Sequence, residues 1–251
     1  MHLFDPELFL GKTVVITGAG RGIGLAVAHL FKQHGASLIV HSGRPGTSTD
    51  LLEIADKVIE ADFCGDAGPA EFTSAVLAHT NQVDVLVNNA GTMHGRFSAD
   101  QLSDEAYRAL VALNQTAVVA ITRDLIPAMR NAKSAAIINT VSISAKTGGS
   151  PGSSIYSATK AFVSTYTKSL ARELAPDGIR VNAVSPGTID TDFHQRYSPD
   201  EKLEATRKQI PMGRLGTPQD CAPAFLFFAA DQLSGYITGQ TLEINGGHLM
   251  S

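Results

Sequence analysis

The sequence lacks tryptophan and is poor in cysteine, which narrows the classes of protein it can encode. Only two cysteines, Cys64 and Cys221, occur in 251 residues, too few for a disulfide framework. Neither these cysteines nor the eight histidines follow the spacing of metal ligands, so we predict no metal site, and a metal-dependent hydrolase is disfavoured. The cysteine content fits a reducing compartment, and we expect a cytoplasmic protein.

Blocks of positive charge and long hydrophobic runs are also missing. The formal net charge is −4, and no lysine- and arginine-rich block provides the electrostatic footprint of a nucleic-acid-binding protein. The best apolar run, AFLFFAA at 224–230, is far shorter than the roughly 18 residues that a membrane span needs. The first twelve residues, MHLFDPELFLGK, have two acids before the first lysine and do not resemble a signal peptide. We therefore expect neither nucleic acid nor membrane as a partner.

Short apolar runs alternate with segments of helical periodicity along the chain. Strands are predicted at KTVVIT (12–17), SLIV (37–40), VDVLVN (83–88), AAIINTV (135–141), IRVNAV (179–184) and TLEI (241–244). Helices are predicted directly after the first strand and near 69–80, 104–130, 154–175 and 218–230. Because the strands lack polar alternation, the sheet should be parallel and covered on both faces. No linker or repeat divides the chain, so residues 1–251 are predicted to form one doubly wound α/β domain.

A glycine-rich stretch, TGAGRGIG (17–24), separates the first strand from the first helix. Glycines there allow a tight turn that brings backbone N–H groups near a pyrophosphate, and the helix N-terminus points positive charge at it. A glycine cluster alone is weak evidence of a nucleotide site, but its place between a strand and a helix is the confirming context. Contacts to a dinucleotide are predicted for Thr17, Gly18, Gly20, Arg21, Gly22, Ile23 and Gly24.

The end of the second strand bears on which dinucleotide is bound. Many dinucleotide folds have an acidic residue there that binds the adenosine ribose, whereas LIVHSGRPG places Ser42 at this position and Arg44 two residues later. Without that carboxylate a 2′-phosphate meets no repulsion, and Arg21 and Arg44 could pair with it. The alternative is that Arg44 is merely solvated. We predict NADP(H) in preference to NAD(H).

The pentapeptide YSATK (156–160) places Tyr156 and Lys160 on one face of a helix, a weak signal by itself. Together with the glycine motif, NNAG (88–91) and Asn114 in ALNQT, it resembles the short-chain dehydrogenase/reductase family over about residues 11 to 247. The resemblance implies a Rossmann domain with a seven-stranded parallel sheet and reversible hydride transfer between a nicotinamide and a ketone or secondary alcohol. It also implies a homotetramer, paired through the helices near 104–130 and 154–175 and the C-terminal strand region.

Family resemblance further assigns the proton chemistry. Tyr156 would protonate the carbonyl oxygen, and because a free tyrosine has a pKa near 10, the ammonium of Lys160 is expected to lower that pKa. Lys160 would also hold the nicotinamide ribose, and Asn114 would support a water-linked proton relay.

Two serines are candidates for the residue that hydrogen-bonds the substrate oxygen. The family commonly places this serine where the chain has Ile143, with Ser142 and Ser144 on either side. Aligning the strand AIIN with the family pattern favours Ser142, with Ser144 lining the pocket.

Other cofactor contacts carry over by resemblance. They are Asp62 and Phe63 of EADF, which follow the third strand of the family pattern, Asn89, Ala90 and Gly91 of NNAG, and Pro186, Gly187, Ile189 and Thr191 of SPGTIDT. Taken alone, Asp62 could be a helix N-cap and NNAG an ordinary turn at a strand end. The segment between the second and third strands is short, so its helix should be reduced to about DLLEIAD (50–56), leaving the adenine end open.

The substrate should be selected by the loop after IRVNAV, the sixth strand of the family pattern, at about 188–215, and by residues near 94–97 and 144–152. These segments contain His94, Arg96, Lys146, His194, Arg196, Tyr197 and Arg214, besides Ser144. Cationic groups at a pocket mouth suit an anionic substrate, although solvated loop charges are the alternative. We expect contacts from His94, Lys146, His194 and Arg196.

Resemblance within the family leaves the substrate class open. Segments such as PGTIDTDFH and IPMGRLGT resemble reductases and dehydrogenases of sugars and sugar acids, including keto-deoxy uronate reductases. The C-terminal half equally resembles 3-oxoacyl-thioester reductases. We rank a sugar acid or related keto compound first and the thioester second. A non-catalytic nucleotide-binding sensor is a remote alternative, because both Tyr156 and Lys160 are present.

Overall fold

The computed structural model describes residues 4–43 and 49–250 and contains one all-parallel sheet. Its seven strands lie in the order β3-β2-β1-β4-β5-β6-β7. They are β1 (Thr13–Ile16), β2 (Ser37–Ser42), β3 (Lys57–Glu60), β4 (Val85–Asn88), β5 (Ala135–Thr140), β6 (Ile179–Pro186) and β7 (Thr241–Ile244). The predicted Rossmann architecture is confirmed. Arg44 lies outside the described residues, so the structure says nothing of its predicted phosphate contact.

Helices cover both faces of the sheet. They are α1 (Gly22–Gln33), α2 (Thr49–Ile54), α3 (Gly68–His79), α4 (Asp104–Val111), α5 (Ala117–Met129), α6 (Ser144–Thr147), α7 (Ser154–Leu174), α8 (Asp192–Tyr197), α9 (Asp200–Gln209), α10 (Pro218–Ala229) and α11 (Asp231–Ser234). A π-helical turn, Ala112–Thr116, joins α4 to α5, and a 3₁₀ turn, Ala175–Asp177, follows α7. Between β2 and β3 the helix α2 has six residues, as short as the sequence predicts.

Strand residues point alternately into two separate cores, which explains their uninterrupted apolar pattern. Val14 and Ile16 of β1 belong to a core built with α1 and α10, while Val15 between them belongs to a core built with α3, α5 and α7. Each strand therefore needs apolar side chains at consecutive positions. This arrangement leaves the strand ends, and not the sheet faces, for chemistry.

A buried polar network crosses the second core. The amide of Asn88 on β4 donates to Thr122 on α5 at 3.0 Å and to Asn139 on β5 at 2.9 Å. The amide of Asn139 in turn donates to the hydroxyl of Thr167 on α7 at 2.9 Å. These buried hydrogen bonds stabilise one arrangement of the elements that carry them, although the side-chain oxygen of Asn88 has no partner among the described residues. This network ties the two central strands to the helices beside the cavity described below.

The segment after β6 is more ordered than the loop predicted at about 188–215. It contains two helices, α8 and α9, and the second consists of exposed or half-buried residues with the sequence DEKLEATRKQ. Without a buried face this helix has little apolar periodicity to reveal it in the sequence. Asp200 and Glu201 lie in its first turn and Arg207 and Lys208 in its last, which stabilises it through the helix dipole.

The continuous helical stretch Asp104–Met129 is, among the described residues, long and apolar enough to cross a membrane by length and composition alone. Its apolar residues have another role, since Ile121, Leu125 and Met129 are buried in the core with β4 and β5. Core packing therefore accounts for the composition of this helix.

The packing of α1 against the first strand predicts the effect of a single added methyl group. Gly24 contacts the backbone so closely that a Cβ would overlap the carbonyl group of Gly18 and lie 2.6 Å from the Asn89 amide nitrogen. Gly24→Ala should therefore lower the free energy of unfolding by about 2 kcal/mol, as overpacking does. Urea unfolding measures this, with Gly65→Ala as the control, because the nearest atom to its added Cβ is 3.5 Å away. Equal effects of the two substitutions would contradict the packing argument.

Candidate active site

One cavity of about 820 Å³ lies at the carboxyl ends of the strands. Residues that follow β1, β2, β3, β4, β5 and β6 all contribute to its walls. The carboxyl edge of an open parallel sheet is where such folds bind ligands, because the loops from successive strands diverge there. Helices α8 and α9 close the cavity on the side away from the sheet through Phe193, Lys202 and Thr206.

Most of the predicted site residues line this one cavity. Those for the cofactor are Gly18, Gly20, Arg21, Gly22, Ile23, Ser42, Asp62, Phe63, Asn89, Ala90, Gly91, Pro186, Gly187, Ile189 and Thr191, joined by the predicted catalytic Ser142, Tyr156 and Lys160 and the predicted substrate contacts His94, Ser144 and Arg196. The structure thus brings together predicted residues as far apart in the chain as Gly18 and Arg196.

Four predicted residues lie outside the cavity wall. Thr17 and Gly24 support the glycine-rich loop from behind, and Asn114 lies one layer deeper, against Thr92. Lys146 points elsewhere, since its ammonium pairs with Glu243 at 3.0 Å. We therefore do not retain Lys146 as a substrate contact. The side chain of His194 lies outside what the structure describes.

The glycine-rich loop is built to leave backbone N–H groups available. Gly18 and Gly22 have φ values of 65° and 55°, in the left-handed region, and a Cβ on Gly18 would lie 2.7 Å from the Ala90 Cα. Arg21, the N-cap of α1, makes no side-chain capping hydrogen bond, so the first N–H groups of the helix are not capped by it. An uncapped helix N-terminus in a cavity fits a phosphate or diphosphate group.

Side chains behind the loop hold it in place. The amide of Asn89 donates to the carbonyls of Thr17 and Gly18 at 3.2 and 3.0 Å. The Thr17 hydroxyl oxygen accepts from the backbone N–H groups of Asn89 and Ala90 at 2.9 and 3.0 Å. Both side chains therefore fix the distance between the ends of β1 and β4.

His41, at the end of β2, is a site residue that the sequence did not reveal. Its Nδ1 accepts from the Gly18 N–H at 3.1 Å, and its Nε2 lies 2.9 Å from the Ala61 carbonyl oxygen. Its ring stacks on Phe63 with centroids 3.7 Å apart. Burial lowers the pKa of His41 to about 4, so the ring is neutral and links the glycine loop to the end of β3. One histidine within the buried strand segment LIVHS is the only available sequence signal.

Asp62 accepts a hydrogen bond from the Cys64 N–H at 2.9 Å and lines the cavity beside Phe63. It is not a helix cap, because α3 begins later and has Ala67 as its N-cap. The alternative interpretation of Asp62 as an N-cap is therefore wrong.

Tyr156 and Ser142 lie near each other in the wall of the cavity. The Ser142 hydroxyl is close enough to the Tyr156 phenol to oppose the rise in the Tyr156 pKa, and its oxygen accepts from the Ser144 hydroxyl at 2.9 Å. Ser142 therefore acts on Tyr156 directly, and Ser144 holds Ser142. The ring of Phe193 on α8 lies 5.7 Å from the Tyr156 ring and covers it.

Lys160 is buried one turn beyond Tyr156. Its ammonium donates to the carbonyl oxygen of Thr140, at the end of β5, at 2.8 Å. A Cβ on Gly91 would lie 3.1 Å from the Lys160 nitrogen and 2.8 Å from the side-chain oxygen of Asn114. Gly91 thus leaves room for both side chains to meet the end of β4.

Asn114 lies in the π-helical turn and is fully buried. Its amide nitrogen donates to the carbonyls of Thr92 and Leu110, both at 2.9 Å, and its oxygen accepts from the Thr92 N–H at 3.1 Å. Its side chain makes the bond to Leu110 that a backbone N–H makes in a regular α-helix. The turn therefore pins the loop after β4 against the helix.

Burial sets the proton affinities of the two central groups. It raises the pKa of Tyr156 to about 12, an effect that the Ser142 hydrogen bond opposes, and it lowers the pKa of Lys160 to about 8. The predicted lowering of the Tyr156 pKa by Lys160 is therefore wrong for this structure. The ammonium nitrogen lies 5.9 Å from the ring centroid, and desolvation has the larger effect. The phenol keeps its proton at neutral pH.

Burial of Lys160 predicts a pH-dependent stability. The unfolded chain holds this proton up to the ordinary pKa of 10.5, whereas the folded chain releases it near 8. The unfolded state then binds more protons between these values, so folding stability should rise with pH across this window. Urea unfolding at about pH 7 and about pH 10 should show the wild type gaining stability relative to Lys160→Met. Lys168→Met, at an exposed position of the same helix, keeps Lys160 and should therefore gain stability with pH as the wild type does. A wild-type advantage that stays constant or falls would contradict the argument.

Comparison with known proteins identifies the family. A family model described as Enoyl-(Acyl carrier protein) reductase matches residues 18–248. The chain is 37% identical over 244 residues to the 3-oxoacyl-[acyl-carrier-protein] reductase FabG of Chlamydia pneumoniae, covering 95% of this chain and 97% of that relative.

Solved structures agree with this match over nearly the whole chain. The NADH-dependent reductase A1-R′ responsible for alginate metabolism is 34% identical with a TM-score of 0.87, covering 97% of this chain and 99% of that one. The 3-ketoacyl-(acyl-carrier-protein) reductase from Brucella melitensis complexed with NADH is 33% identical with a TM-score of 0.88, covering 96% and 99%. With the family model, these matches show that the chain belongs to the short-chain dehydrogenase/reductase family.

Proposed function

We propose that this enzyme interconverts the ketone of a sugar acid, or of a related small keto compound, and the corresponding secondary alcohol with NADP(H). The observation that carries the proposal is the Ser142–Tyr156 pair beside Lys160, in the same cavity as the uncapped N-terminus of α1. A proton donor and a diphosphate site that share one cavity suit a carbonyl reductase. A1-R′, whose fold and sequence are similar, is named for alginate metabolism, which supports a sugar acid.

The residues present fit a nicotinamide dinucleotide. The uncapped first turn of α1 would hold the diphosphate, Asp62 and Phe63 the adenine, and Tyr156 and Lys160 the nicotinamide ribose. The backbone of Ile189 and the hydroxyl of Thr191 would hold the carboxamide. When bound, the reduced nicotinamide supplies the hydride that reduces the carbonyl carbon.

The chain itself handles the proton and the charge on oxygen. Ser142 would donate to the carbonyl oxygen and orient it toward Tyr156, whose high pKa keeps its proton ready at neutral pH. As negative charge develops on that oxygen, the phenol proton moves to it from the Tyr156 oxygen. The Ser142 hydroxyl, which opposes the rise in the Tyr156 pKa, would then stabilise the phenolate left behind. Asn114 would hold the loop after β4 and support the relay that returns the proton to Tyr156.

The preference for NADP(H) rests on the end of β2. Ser42, the last residue of β2, lines the cavity, and its hydroxyl carries no charge and does not repel a 2′-phosphate. Arg21 also lines the cavity, although its guanidinium lies 3.5 Å from Asp192 and would exchange that partner for a phosphate. Relatives are described with NAD or NADH, so NAD(H) is the competing cofactor.

A 3-oxoacyl thioester is the second candidate substrate, because the FabG relative shares 37% of its residues with this chain. The homotetramer and the cytoplasmic location stay predictions. Exposed aromatic side chains on the two helices expected to pair, Tyr107 and Phe162, support the first of these.

A panel of carbonyl compounds tests the reaction and the substrate class. We expect NADPH oxidation with keto-deoxy sugar acids to exceed that with simple ketoses, small diketones and 3-oxoacyl thioesters. Tyr156→Phe should lower kcat by about 1,000-fold, because it removes the proton donor. Tyr166→Phe, a half-buried tyrosine of the same helix, is the control and should retain activity. A preference for thioesters would favour the second candidate, and no turnover on any compound would point to a binding protein.

Substitution of Ser42 tests the cofactor preference. Ser42→Asp should weaken NADPH binding by at least about 10-fold, since a carboxylate repels the 2′-phosphate, and should leave NADH binding unchanged or tighter. Dissociation constants from fluorescence titration give both values, with Ser42→Asn as an uncharged control of similar size. Tighter binding of NADH than of NADPH by the wild type would overturn the preference.

A further inference from the structure

Arg96 reaches the cavity from the loop after β4 and is held by three segments of the chain. Its Nε donates to the Tyr197 carbonyl at the end of α8 at 2.6 Å. Its Nη1 donates to the Ser150 hydroxyl at 2.8 Å and to the Pro151 carbonyl at 3.1 Å, both in the loop before α7. Nη2 has no partner among the described residues. The guanidinium is thus fixed in position with two N–H groups still to donate.

Lys202 approaches the same point from α9. Its ammonium donates to the Ser150 hydroxyl oxygen at 2.9 Å, the oxygen that also accepts from Arg96. Two cations therefore share one serine, and both lone pairs of that oxygen are occupied. The Ser150 hydroxyl hydrogen has no acceptor within the described part of the chain. Arg96, Lys202 and Ser150, here called the cation pair site, all line the cavity.

No carboxylate neutralises this pair among the residues that the structure describes. Arg21 and Arg196, the other arginines of the cavity, both lie near Asp192, at 3.5 and 3.7 Å. Arg214 pairs with Asp220 at 2.6 Å outside the cavity. Arg96 and Lys202 instead face each other and neutral oxygens, so the cation pair site presents uncompensated positive charge at the α9 side of the cavity.

Partial burial makes this arrangement unfavourable for the empty chain. Desolvation lowers the pKa of Arg96, and desolvation together with the charge of Arg96 lowers the pKa of Lys202. Two like charges held close in a half-buried cavity repel each other more than in water. An anion between them would relieve this repulsion and would accept the free N–H and O–H donors.

We propose that the cation pair site binds the carboxylate of the substrate. The proposal rests on the proposed function and adds the group that selects a sugar acid over a neutral ketone. A carboxylate has two acceptor oxygens, which suits the fixed guanidinium, the ammonium and the free hydroxyl hydrogen of Ser150.

The connection to the reaction centre runs through α7. The Ser150 N–H bonds the Ser153 hydroxyl at 3.0 Å, and Ser153 precedes the helix whose first turn carries Tyr156. A carboxylate bound at Ser150 would therefore be placed relative to Tyr156 by a short rigid segment. Because Lys202 belongs to α9 and Arg96 to the loop after β4, the same anion would also join the two sides of the cavity.

The test uses a keto-deoxy sugar acid and its carboxamide, in which a neutral amide of similar size replaces the charged carboxylate. For the wild type we expect KM for the acid to be at least about 10-fold below that for the amide, as charge-assisted hydrogen bonds imply. Lys202→Met should raise KM for the acid by about 10-fold. It should leave kcat for the acid and KM for the amide little changed. Lys208→Met, on the exposed side of the same helix, should behave as the wild type.

Arg96 also has structural contacts, so its variants serve as a second measurement. Arg96→Lys keeps a charge but loses the free Nη2 group, and it should raise KM for the acid more than for the amide. The proposal would be overturned if every variant raised KM equally for the acid and the amide. It would also be overturned if the wild type had equal KM values for the two substrates.

A separate inhibition experiment keeps this outcome distinct from failure of the proposed function. If the wild type reduces no sugar acid but does reduce another carbonyl compound, the proposed substrate class is wrong. Gluconate should nevertheless compete with that compound in the wild type. Its inhibition constant should be at least about fivefold higher for Lys202→Met. Absence of competition, or stronger competition by inorganic phosphate than by gluconate, would overturn the proposal in favour of an empty or a phosphate-binding site.

Discussion

The buried ammonium of Lys160 is the constraint on which the catalytic end of the structure depends. A charged group out of water needs hydrogen-bond partners in fixed places, and the carbonyl of Thr140 is the one found here at 2.8 Å. This bond joins α7 to the end of β5, the strand that leads directly into Ser142. The spacing of Tyr156 from Lys160 then places the phenol against that serine. The relative positions of β5, α7 and Ser142 therefore depend on the hydrogen bond between Lys160 and Thr140.

The sheet supports this arrangement from below through uncharged polar side chains. Asn88, Asn139 and Thr167 connect β4, β5 and α7 inside a core that is otherwise apolar. Apolar packing alone tolerates small shifts between elements, whereas the same shifts would break these buried hydrogen bonds. The hydrogen bonds in the core thereby fix where the strand ends, and the loops that follow them, lie in the cavity.

Sequence reasoning predicts this fold well because its strands are buried on both faces. Runs such as TVVI and AAIIN are apolar at consecutive positions, and the helices between them have one apolar face. The site motifs are equally visible because each is local, as in YSATK and TGAGRGIG. What the sequence does not reveal is assembled from distant positions or depends on burial. The hydrogen bond from Gly18 to His41 and the proximity of Arg96 to Lys202 join positions that are distant in the sequence. The high pKa of Tyr156 depends on burial.

Helices without an apolar face were also beyond prediction. In α9 the polar sequence DEKLEATRKQ gives no periodic signal, although this helix closes the cavity. The π-helical turn in ALNQT is hidden for another reason, since its residues continue the helical pattern on either side. The hydrogen bonds of the Asn114 side chain to Thr92 and Leu110 account for the π-helical turn.

That π-helical turn holds one more residue than an α-helical turn would, and this has an evolutionary consequence. A deletion of one residue within Ala112–Thr116 would restore regular α-helical hydrogen bonding, which is the more stable local geometry. It would also rotate α4 against α5 and withdraw Asn114 from the loop after β4. Selection for stability alone would thus tend to remove the residue, and selection for activity would retain it. Insertions and deletions in this short stretch should therefore be far rarer among functional descendants than substitutions.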